Sequence, residues 1–496
     1  MHTLSKSRIL AYRQCPRRLW LEIHRPELRE DSEAAQARFA TGHQVGEIAR
    51  RLYDPEQRGI LIDPQAEGFD AALARSAALL QSAQPIFEAG FRAAGALAFA
   101  DVLLPVRHKR ARAWRLVEVK SSTSVRDYQR DDAAVQAFVA RAAGVPLAGV
   151  ALAHIDSDWV YPGGGNYQGL LHETDQTDDA LGRDEAVRCW IADAQRIAAR
   201  SKEPRMATGR HCTEPYECGF RAYCQSREPQ PEYPVRWLPG KFSKTLTAHI
   251  EATGTTELRE VPDALLNDRQ RRVKTATLSG VVHFDRKGAA RALSGHGLPA
   301  YFLDFETVQF AVPIWKGTRP YQQIPFQFSV HRLARSGTLE HREFLDLGGK
   351  DPSRALARAL LDACGRRGPI FAYHAPFETK CIRGLAERFR PLAADLSALA
   401  ERMVDLLPIA RDHYYHPSQQ GSWSIKSVLP AICPDLRYDD LDGIRDGGMA
   451  MVGFLEAIAP ETAAARKAEI ERQLRAYCAL DTQALVRLWS MFTDRT

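Results

Sequence analysis

The alternation of apolar and polar positions divides the chain into two α/β regions. In the first region, stretches with helical spacing and short apolar runs follow one another, and Pro16 interrupts the first helical stretch. This order predicts two helices, two strands, a further helix and a buried strand. The predicted elements lie, in chain order, at residues 4–23, 41–53, 96–104, 113–119, 131–143 and 148–155.

The second region begins near residue 298, after a proline-rich break and a basic stretch. The break falls at residues 225–234 (QSREPQPEYP), which contain three prolines and no apolar periodicity. The stretch that follows shows short helical patterns only, at residues 241–251 and 261–273. Beyond it the pattern predicts strands at 300–305 and 368–373 and a last helix at about 461–492. The predicted domains are therefore 1–228, a partly helical connector at 229–297, and 298–496.

Composition favours an ordinary globular protein. The 496 residues are 45% hydrophobic and 26% charged, and no apolar stretch approaches the length needed to cross a bilayer. Because no signal-peptide pattern is present at the start, we expect a cytoplasmic protein without membrane contact. The net charge of +6 is compatible with an acidic partner such as nucleic acid but does not require one.

A first set of candidate residues lies on the predicted strand around RLVEVKS, residues 115–121. Because strand side chains alternate, Glu118 and Lys120 share one face. Asp101, at the end of the preceding strand, can join Glu118 in holding a hard divalent cation, while Lys120 orients water or stabilises charge on a phosphate. His43, on an upstream helix, offers an imidazole to the same ion. Taken singly, such pairs are more often solvated ion pairs, and a lone helical histidine is more often structural.

Four cysteines bracket the same region. Cys15 stands near the start. Cys212, Cys218 and Cys224 follow at its end, with five residues between successive cysteines. Nine cysteines in a cytoplasmic chain indicate metal binding or catalysis rather than disulfide bonds. Four thiolates suit an iron-sulfur cluster or a structural zinc ion. Buried free cysteines are a less favoured alternative, because this segment (HCTEPYECGFRAYC) is polar and aromatic.

At these residues the chain resembles the RecB-like PD-(D/E)xK nucleases, most closely those in which an iron-sulfur cluster clamps the nuclease domain. The resemblance covers residues 1–228 and implies a restriction-endonuclease-like core. It implies that His43, Asp101, Glu118 and Lys120 bind Mg or Mn and hydrolyse DNA.

The same resemblance implies that Cys15, Cys212, Cys218 and Cys224 ligate the cluster, most simply a 4Fe-4S cluster, which acts as a structural staple. Two features depart from the family pattern. The last three cysteines are separated by five and five residues, where the family more often has two and then five. The family's helical Gln-x3-Tyr motif keeps its glutamine here as Gln136, but Ala140 stands at the position of the tyrosine.

A second set of candidate residues lies in the C-terminal region. Asp304 and Glu306 are two positions apart on a predicted strand, so both carboxylates point the same way. Glu378 follows another buried strand, and Tyr477 and Asp481 are one turn apart on the last helix. Four carboxylates and a tyrosine are the groups that two-metal phosphodiester hydrolysis requires. Each motif alone is weak, but the three in this order are jointly specific.

This order resembles the DEDD exonucleases, which have an RNase H-like fold, in the subclass with tyrosine in its last motif. The resemblance covers residues 298–496 and implies that Asp304, Glu306, Glu378 and Asp481 are metal ligands and that Tyr477 orients the nucleophile.

Three positions of this second resemblance need comment. The family's second motif usually reads Asn-x3-Asp, whereas this chain has His374-x3-Glu378. Asp405 is a fallback ligand. Residues 421–426 (GSWSIK) resemble the family's loop-to-helix entry beside the substrate strand, and we interpret them as a capped helix start.

The sequence thus predicts a protein with two metal-dependent nuclease sites that acts on nucleic acid. DNA is favoured over RNA, because RecB-like cores with clusters act mostly on DNA ends or single strands. The combination resembles an uncharacterised bacterial family known as a domain of unknown function. Two alternatives stay open: a non-enzymatic nucleic-acid-binding protein with structural zinc, and a protein in which only one half is active. The sequence indicates no particular protein partner.

Overall fold

The structure, a computed structural model, describes residues 3–494 and contains two compact units. The first unit comprises the chain up to Pro229 together with Phe310–Gln322, and the second comprises Gln230–Gln309 and the chain from Gln323 onward. Both units combine a β-sheet with helices, which confirms the predicted mixed α/β class. Most of the predicted connector is counted within the second unit. The segment Phe310–Gln322, which lies within the predicted C-terminal domain, is counted with the first unit, and the sequence pattern did not indicate this.

The first unit contains one large sheet and the helices that cover it. Its strands are β1 Leu4–Ser5, β2 Ile60–Leu61, β3 Ile86–Ala93, β4 Ala96–His108, β5 Ala111–Lys120, β6 Leu147–Ile155 and β7 Leu171–Asp175. Its helices are α1 Lys6–Gln14, α2 Pro16–His24, α3 Glu33–Tyr53, α4 Pro64–Glu67, α5 Phe69–Leu79, α6 Asp127–Ala142, α7 Thr177–Leu181, α8 Asp184–Ala198 and α9 Arg221–Ser226.

The sheet of the first unit has the order β2-β3-β4-β5-β6-β7, and β1 pairs with β4. β5 is antiparallel to β4 and parallel to β6. Alternation along β5 directs Leu116 into the core that contains Val135 of α6, and directs Val117 to the opposite face, where Tyr53 of α3 packs. Glu118 and Lys120 therefore lie on the α6 side of the sheet.

The second unit contains a smaller sheet, a two-stranded ribbon and the remaining helices. Its strands are β8 His283–Phe284, β9 Ala300–Val308, β10 Ile324–Leu333, β11 Leu339–Leu345, β12 Ile370–Ala372, β13 Met403–Asp405 and β14 Tyr414–Tyr415. Its helices are α10 Lys244–Thr253, α11 Asp268–Ser279, α12 Arg286–Leu293, α13 Ser353–Cys364, α14 Pro376–Arg388, α15 Ala393–Ala400, α16 Leu406–His413, α17 Ile425–Ile432, α18 Gly447–Ile458 and α19 Ala464–Thr493.

The smaller sheet has the order β11-β10-β9-β12-β13, so β9 is its central strand. On one face of β9, Phe302 packs against Phe371 and Trp489, with ring centroids 5.4 and 5.8 Å away. On the other face, Leu303 and Phe305 enter a second core with residues of α13, α14 and α15. Asp304 and Glu306 follow Phe302 at alternate positions and so lie on the face that α19 covers.

Two boundaries differ from the predictions for identifiable reasons. The predicted first helix is two helices, because Pro16 begins α2 and Cys15 between them has extended backbone angles. The helical pattern at residues 261–273 becomes helix only from Asp268, because Asn267 caps that helix in a reciprocal capping box with Gln270. Within the described residues, no helix combines the length and the apolar character needed to span a membrane.

Phe302→Ala tests the importance of the β9 core. Phe302 is fully buried between two aromatic rings, so its loss leaves a cavity and lowers the free energy of unfolding of the second unit by about 3–5 kcal/mol. The measurement is denaturant unfolding followed by tryptophan fluorescence. Leu339→Ala, at a position 44% exposed, is the control and costs less than about 1 kcal/mol. Equal effects of the two changes would contradict this account of the core.

Candidate metal centres

The five candidate residues of the second unit line one pocket, which we call the C-terminal pocket. It has a volume of about 430 Å³, and its lining includes Asp304, Glu306, Glu378, Tyr477 and Asp481. Strand β9 supplies the first two, the first turn of α14 supplies Glu378, and α19 supplies the last two from one face. The structure thus brings together carboxylates that lie more than 170 positions apart in the chain.

Like charges dominate the C-terminal pocket. Burial, together with the neighbouring carboxylates, raises the pKa of Asp304 and of Glu306 well above the usual values. Burial likewise raises the pKa of Asp481 to about 6 and that of Glu378 to about 8. A pocket of this kind is stable either with protonated carboxyl groups or with a cation among the carboxylates.

The donor set fits a hard divalent cation. In the part of the chain that the structure describes, no lysine or arginine forms an ion pair with Asp304, Glu306, Glu378 or Asp481. Glu378 is 4% exposed, and its Oε2 is buried without a hydrogen-bond partner. Oxygen ligands of this type and number are the ones that Mg²⁺ and Mn²⁺ prefer.

Cys478 lies beside the carboxylates of β9. One ligand atom each from Asp304, Glu306 and Cys478 falls within a 4.8 Å span. The Cys478 thiol donates to the backbone and carboxylate oxygens of Asp304, at 3.9 Å each. Burial and the adjacent carboxylates raise the pKa of this thiol well above its usual value, which agrees with its role as a donor to Asp304.

Two further residues of this pocket region were missed by the sequence reasoning. The Tyr438 hydroxyl donates to Asp481 Oδ1. The Lys426 ammonium lies 5.4 Å from the ring centroids of both Tyr438 and Tyr477 and donates to the Arg445 carbonyl at 2.7 Å. Its positive charge partly offsets the rise in the pKa of Glu306 and of Asp481. The only sequence signal for these residues was the GSWSIK stretch, which contains Lys426 and which we interpret as a helix start.

Asp405, the predicted fallback ligand, has a structural role. Its Oδ1 accepts the amide protons of Leu407 and of His374, at 2.9 Å each. It thereby caps α16 and fixes His374, whose φ of +71° is in the left-handed region. The fallback assignment was wrong, because the carboxylate serves the backbone at the end of β12.

In the first unit, Glu118 and Lys120 belong to a group of charged side chains that we call the N-terminal ion-pair network. The Lys120 ammonium lies 2.6 Å from Glu118 and 2.5 Å from Asp132 of α6. Lys6 of α1 lies 2.9 Å from each of the same two carboxylates. Burial alone lowers the pKa of both ammonium groups, but Asp132 and Glu118 outweigh burial and raise it.

Gln136 completes this network. Its amide donates to Glu118 Oε2 and, at 3.1 Å, to Asp132 Oδ1. The glutamine that survives from the family's Gln-x3-Tyr motif therefore holds the carboxylates directly. Lys6 and Asp132 were not predicted, because no local pattern marks them.

The remaining acidic residues of this region lie where β3 and β4 pair. Asp101 accepts the Val119 amide at 2.7 Å, and burial together with Glu118 raises its pKa. Glu88 has a φ of +55°, a strained conformation for glutamate, and burial and Glu118 raise its pKa too. His43 is exposed on α3, where its charge acts on Glu88. Within the described residues, no hydrogen bond or ion pair joins His43 to Asp101 or Glu118.

The four cysteines predicted to bind a cluster line one cavity, and we call this group the four-cysteine site. Cys15, Cys212, Cys218 and Cys224 are each 8% exposed. Burial raises the pKa of Cys15 and of Cys218, and hydrogen bonds from backbone amides partly offset this rise; at Cys15 these are the amides of Arg18 and Arg17. Burial raises the pKa of Cys224 to about 12. Thiols held together in this way are typical of a metal or cluster site.

Among the described residues, the grouping of three ligand atoms within 4.8 Å occurs at Asp304, Glu306 and Cys478 and not among these cysteines.

A family model matches part of the second unit. The family is a domain of unknown function (DUF2779), and the match covers residues 301–424. It includes Asp304, Glu306 and Glu378, contains Phe310–Gln322, which is counted with the first unit, and ends before Lys426 and α19. No curated protein matches the chain. The comparisons therefore assign no activity.

Glu378→Gln tests the charge state of the C-terminal pocket in metal-free protein. The native pKa of about 8 exceeds the value of about 4.3 for unfolded glutamate. The free energy of unfolding therefore falls as the pH rises from 4 to 8, because Glu378 ionises at a lower pH in the unfolded state than in the native state. The variant should match the parent at pH 4 and exceed its free energy of unfolding by up to about 5 kcal/mol at pH 9.

Urea unfolding at the two pH values measures this effect. Glu401→Gln, an exposed position in the same unit, is the control and should leave the pH dependence unchanged. A variant that gives no pH-dependent gain would show that Glu378 is not held in a desolvated, anionic environment.

Proposed function

We propose that the chain is a divalent-metal-dependent nuclease whose principal centre is the C-terminal pocket. The single observation that carries the proposal is that three buried carboxylates and the half-buried Asp304 line one pocket and, among the described residues, form no ion pair with a lysine or arginine. The central strand β9 with Asp304 and Glu306, and the late helix α19 with Tyr477 and Asp481, support an RNase H-like fold of the DEDD type. Such sites hydrolyse phosphodiester bonds.

The residues of the C-terminal pocket have distinct roles in this proposal. Bound Mg²⁺ or Mn²⁺ would supply Lewis acidity toward the phosphate and a lowered pKa for the attacking water. Asp304, Glu306, Glu378 and Asp481 would hold it. Tyr438 donates to Asp481 Oδ1 and holds this carboxylate in place. Tyr477, whose pKa is raised by burial and the carboxylates, stays protonated and orients the water.

The first unit supplies a second centre of the RecB-like PD-(D/E)xK type in this proposal. Its support is the placement of Asp101, Glu118 and Lys120 at one end of paired strands β4 and β5. Lys120 would stabilise charge on the phosphate, while Glu118 and Asp101 would hold Mg²⁺ or Mn²⁺. His43 would supply an imidazole to the same ion or contact the phosphate.

The four-cysteine site would hold an iron-sulfur cluster, most simply 4Fe-4S. The support is that four thiols from the two ends of the first unit line one cavity. Because Cys15 and Cys212 are far apart in sequence, the bound group would close most of the first unit into one loop and stabilise it by linkage.

The proposed substrate is nucleic acid, with DNA favoured over RNA. A protein with only one active half is the second candidate, and one observation favours it: the carboxylates of the first unit are paired with lysines, whereas those of the second are not. In that case the first unit binds nucleic acid without cutting it.

Cleavage assays test the proposed function. Labelled single- and double-stranded DNA and RNA are incubated with Mn²⁺ or Mg²⁺ and with the parent, Lys120→Ala, Asp304→Ala or the double variant. Asp304→Ala should abolish the larger part of metal-dependent cleavage, because it removes a ligand of the principal centre, and the double variant should reduce cleavage at least about 100-fold. The exposed changes Lys202→Ala and Asp395→Ala are controls. Undiminished cleavage in both site variants would refute both centres, and loss in only one would leave the other unit a binding role.

Anaerobic purification tests the four-cysteine site. The parent should carry iron and absorb visible light, whereas Cys224→Ser should lose iron and unfold at a temperature about 5 °C lower or more. Cys189→Ser is the matched control, because Cys189 is exposed and lies outside the cavity. A colourless, zinc-loaded parent would refute the iron assignment.

A further inference from the structure

Lys6 is the one cation of the N-terminal ion-pair network that comes from a different part of the chain. It is the first residue of α1, and its side chain is 20% exposed. Its ammonium contacts Glu118 Oε1 and Asp132 Oδ1, at 2.9 Å each. These contacts are longer than those that Lys120 makes to the same carboxylates, 2.6 and 2.5 Å. Of the two ammonium groups, Lys6 is therefore the one more easily displaced.

Glu118 accepts three donors in this arrangement. Its Oε1 accepts from both lysines, and its Oε2 accepts from Gln136. A divalent cation that binds Glu118 comes close to the two ammonium groups, and their positive charge opposes its binding. Because Lys120 is fixed on the same strand only two residues away, the donor that gives way is Lys6.

The helix that carries Lys6 ends at the four-cysteine site. Gln14, the last residue of α1, donates through its amide to the carbonyls of His211 and Tyr216, at 2.8 Å each. Those carbonyls belong to the loop that contains Cys212 and leads to Cys218, and Cys15 directly follows Gln14. One nine-residue helix thus connects the ion-pair network at its first residue with the cysteines at its end.

Building on the proposed function, we propose that Lys6 is a positioning residue that holds Glu118 and Asp132 as a resident counter-ion until Mg²⁺ or Mn²⁺ displaces it, and that the four-cysteine site keeps it there through α1. A neutral side chain at position 6 removes the competition for Glu118, so the metal binds more tightly. A loosened four-cysteine site frees α1 and has the same effect. The two effects act through one element and are therefore not additive.

Mn²⁺ titration followed by electron paramagnetic resonance tests this inference without relying on cleavage. The titration uses the full chain with Asp304→Asn and Glu306→Gln, which remove binding at the C-terminal pocket. In that background, Lys6→Met should bind Mn²⁺ about tenfold more tightly than the parent background, and Lys6→Arg should match the parent background. Circular dichroism confirms that each variant is folded.

Two further changes test the coupling through α1. Cys15→Ser and, with all four thiols intact, Gln14→Ala should each tighten Mn²⁺ binding. Neither should add to the effect of Lys6→Met when the two changes are combined.

The outcomes separate this inference from the proposed function. Unchanged or weaker Mn²⁺ binding by a folded Lys6→Met variant would overturn the counter-ion role. Additive effects of Lys6→Met and Gln14→Ala would overturn the coupling through α1. Failure of both the parent background and Lys6→Met to bind Mn²⁺ would overturn the metal centre of the first unit, and the inference with it.

Discussion

The mutual repulsion of buried carboxylates is the constraint on which the second unit depends. Asp304 and Glu306 stand on the central strand of the sheet, and α19 covers them with Asp481. Desolvation and like charge both oppose ionisation here, so the native state favours neutral carboxyl groups or an added cation. A cation that binds only the folded pocket stabilises the fold as it completes the site. Folding and ligand binding are thus two aspects of one electrostatic balance.

The first unit meets the same problem in a different way. Glu118 and Asp132 are buried, but Lys6, Lys120 and Gln136 satisfy them from within the protein. Such a network costs desolvation energy and tolerates little disturbance, because removing one member leaves an unpaired buried charge. The two units therefore differ in how the charge of their carboxylates is offset: among the described residues, lysines pair with those of the first unit and not with those of the C-terminal pocket.

Local periodicity predicted the parts of each site that lie on one element. The alternation of β9 placed Asp304 with Glu306, and one helical turn placed Tyr477 with Asp481. The partners that come from elsewhere were missed: Lys6 is 112 positions from Glu118, and Tyr438 is 43 positions from Asp481. Asp405 was misjudged for a related reason, since its carboxylate is used by backbone amides that the sequence pattern does not locate.

Both sites are completed by elements near the ends of their units. α1 brings Lys6 to β5 and α6, and α19 brings Tyr477 and Asp481 to β9. Such contacts close long loops, and their entropic cost is met only when the core beneath them has formed. A partly folded chain therefore has separated carboxylates, each solvated and with an ordinary affinity for protons. The concentration of negative charge at either site depends on these long-range contacts, which makes it a property of the intact unit rather than of any motif.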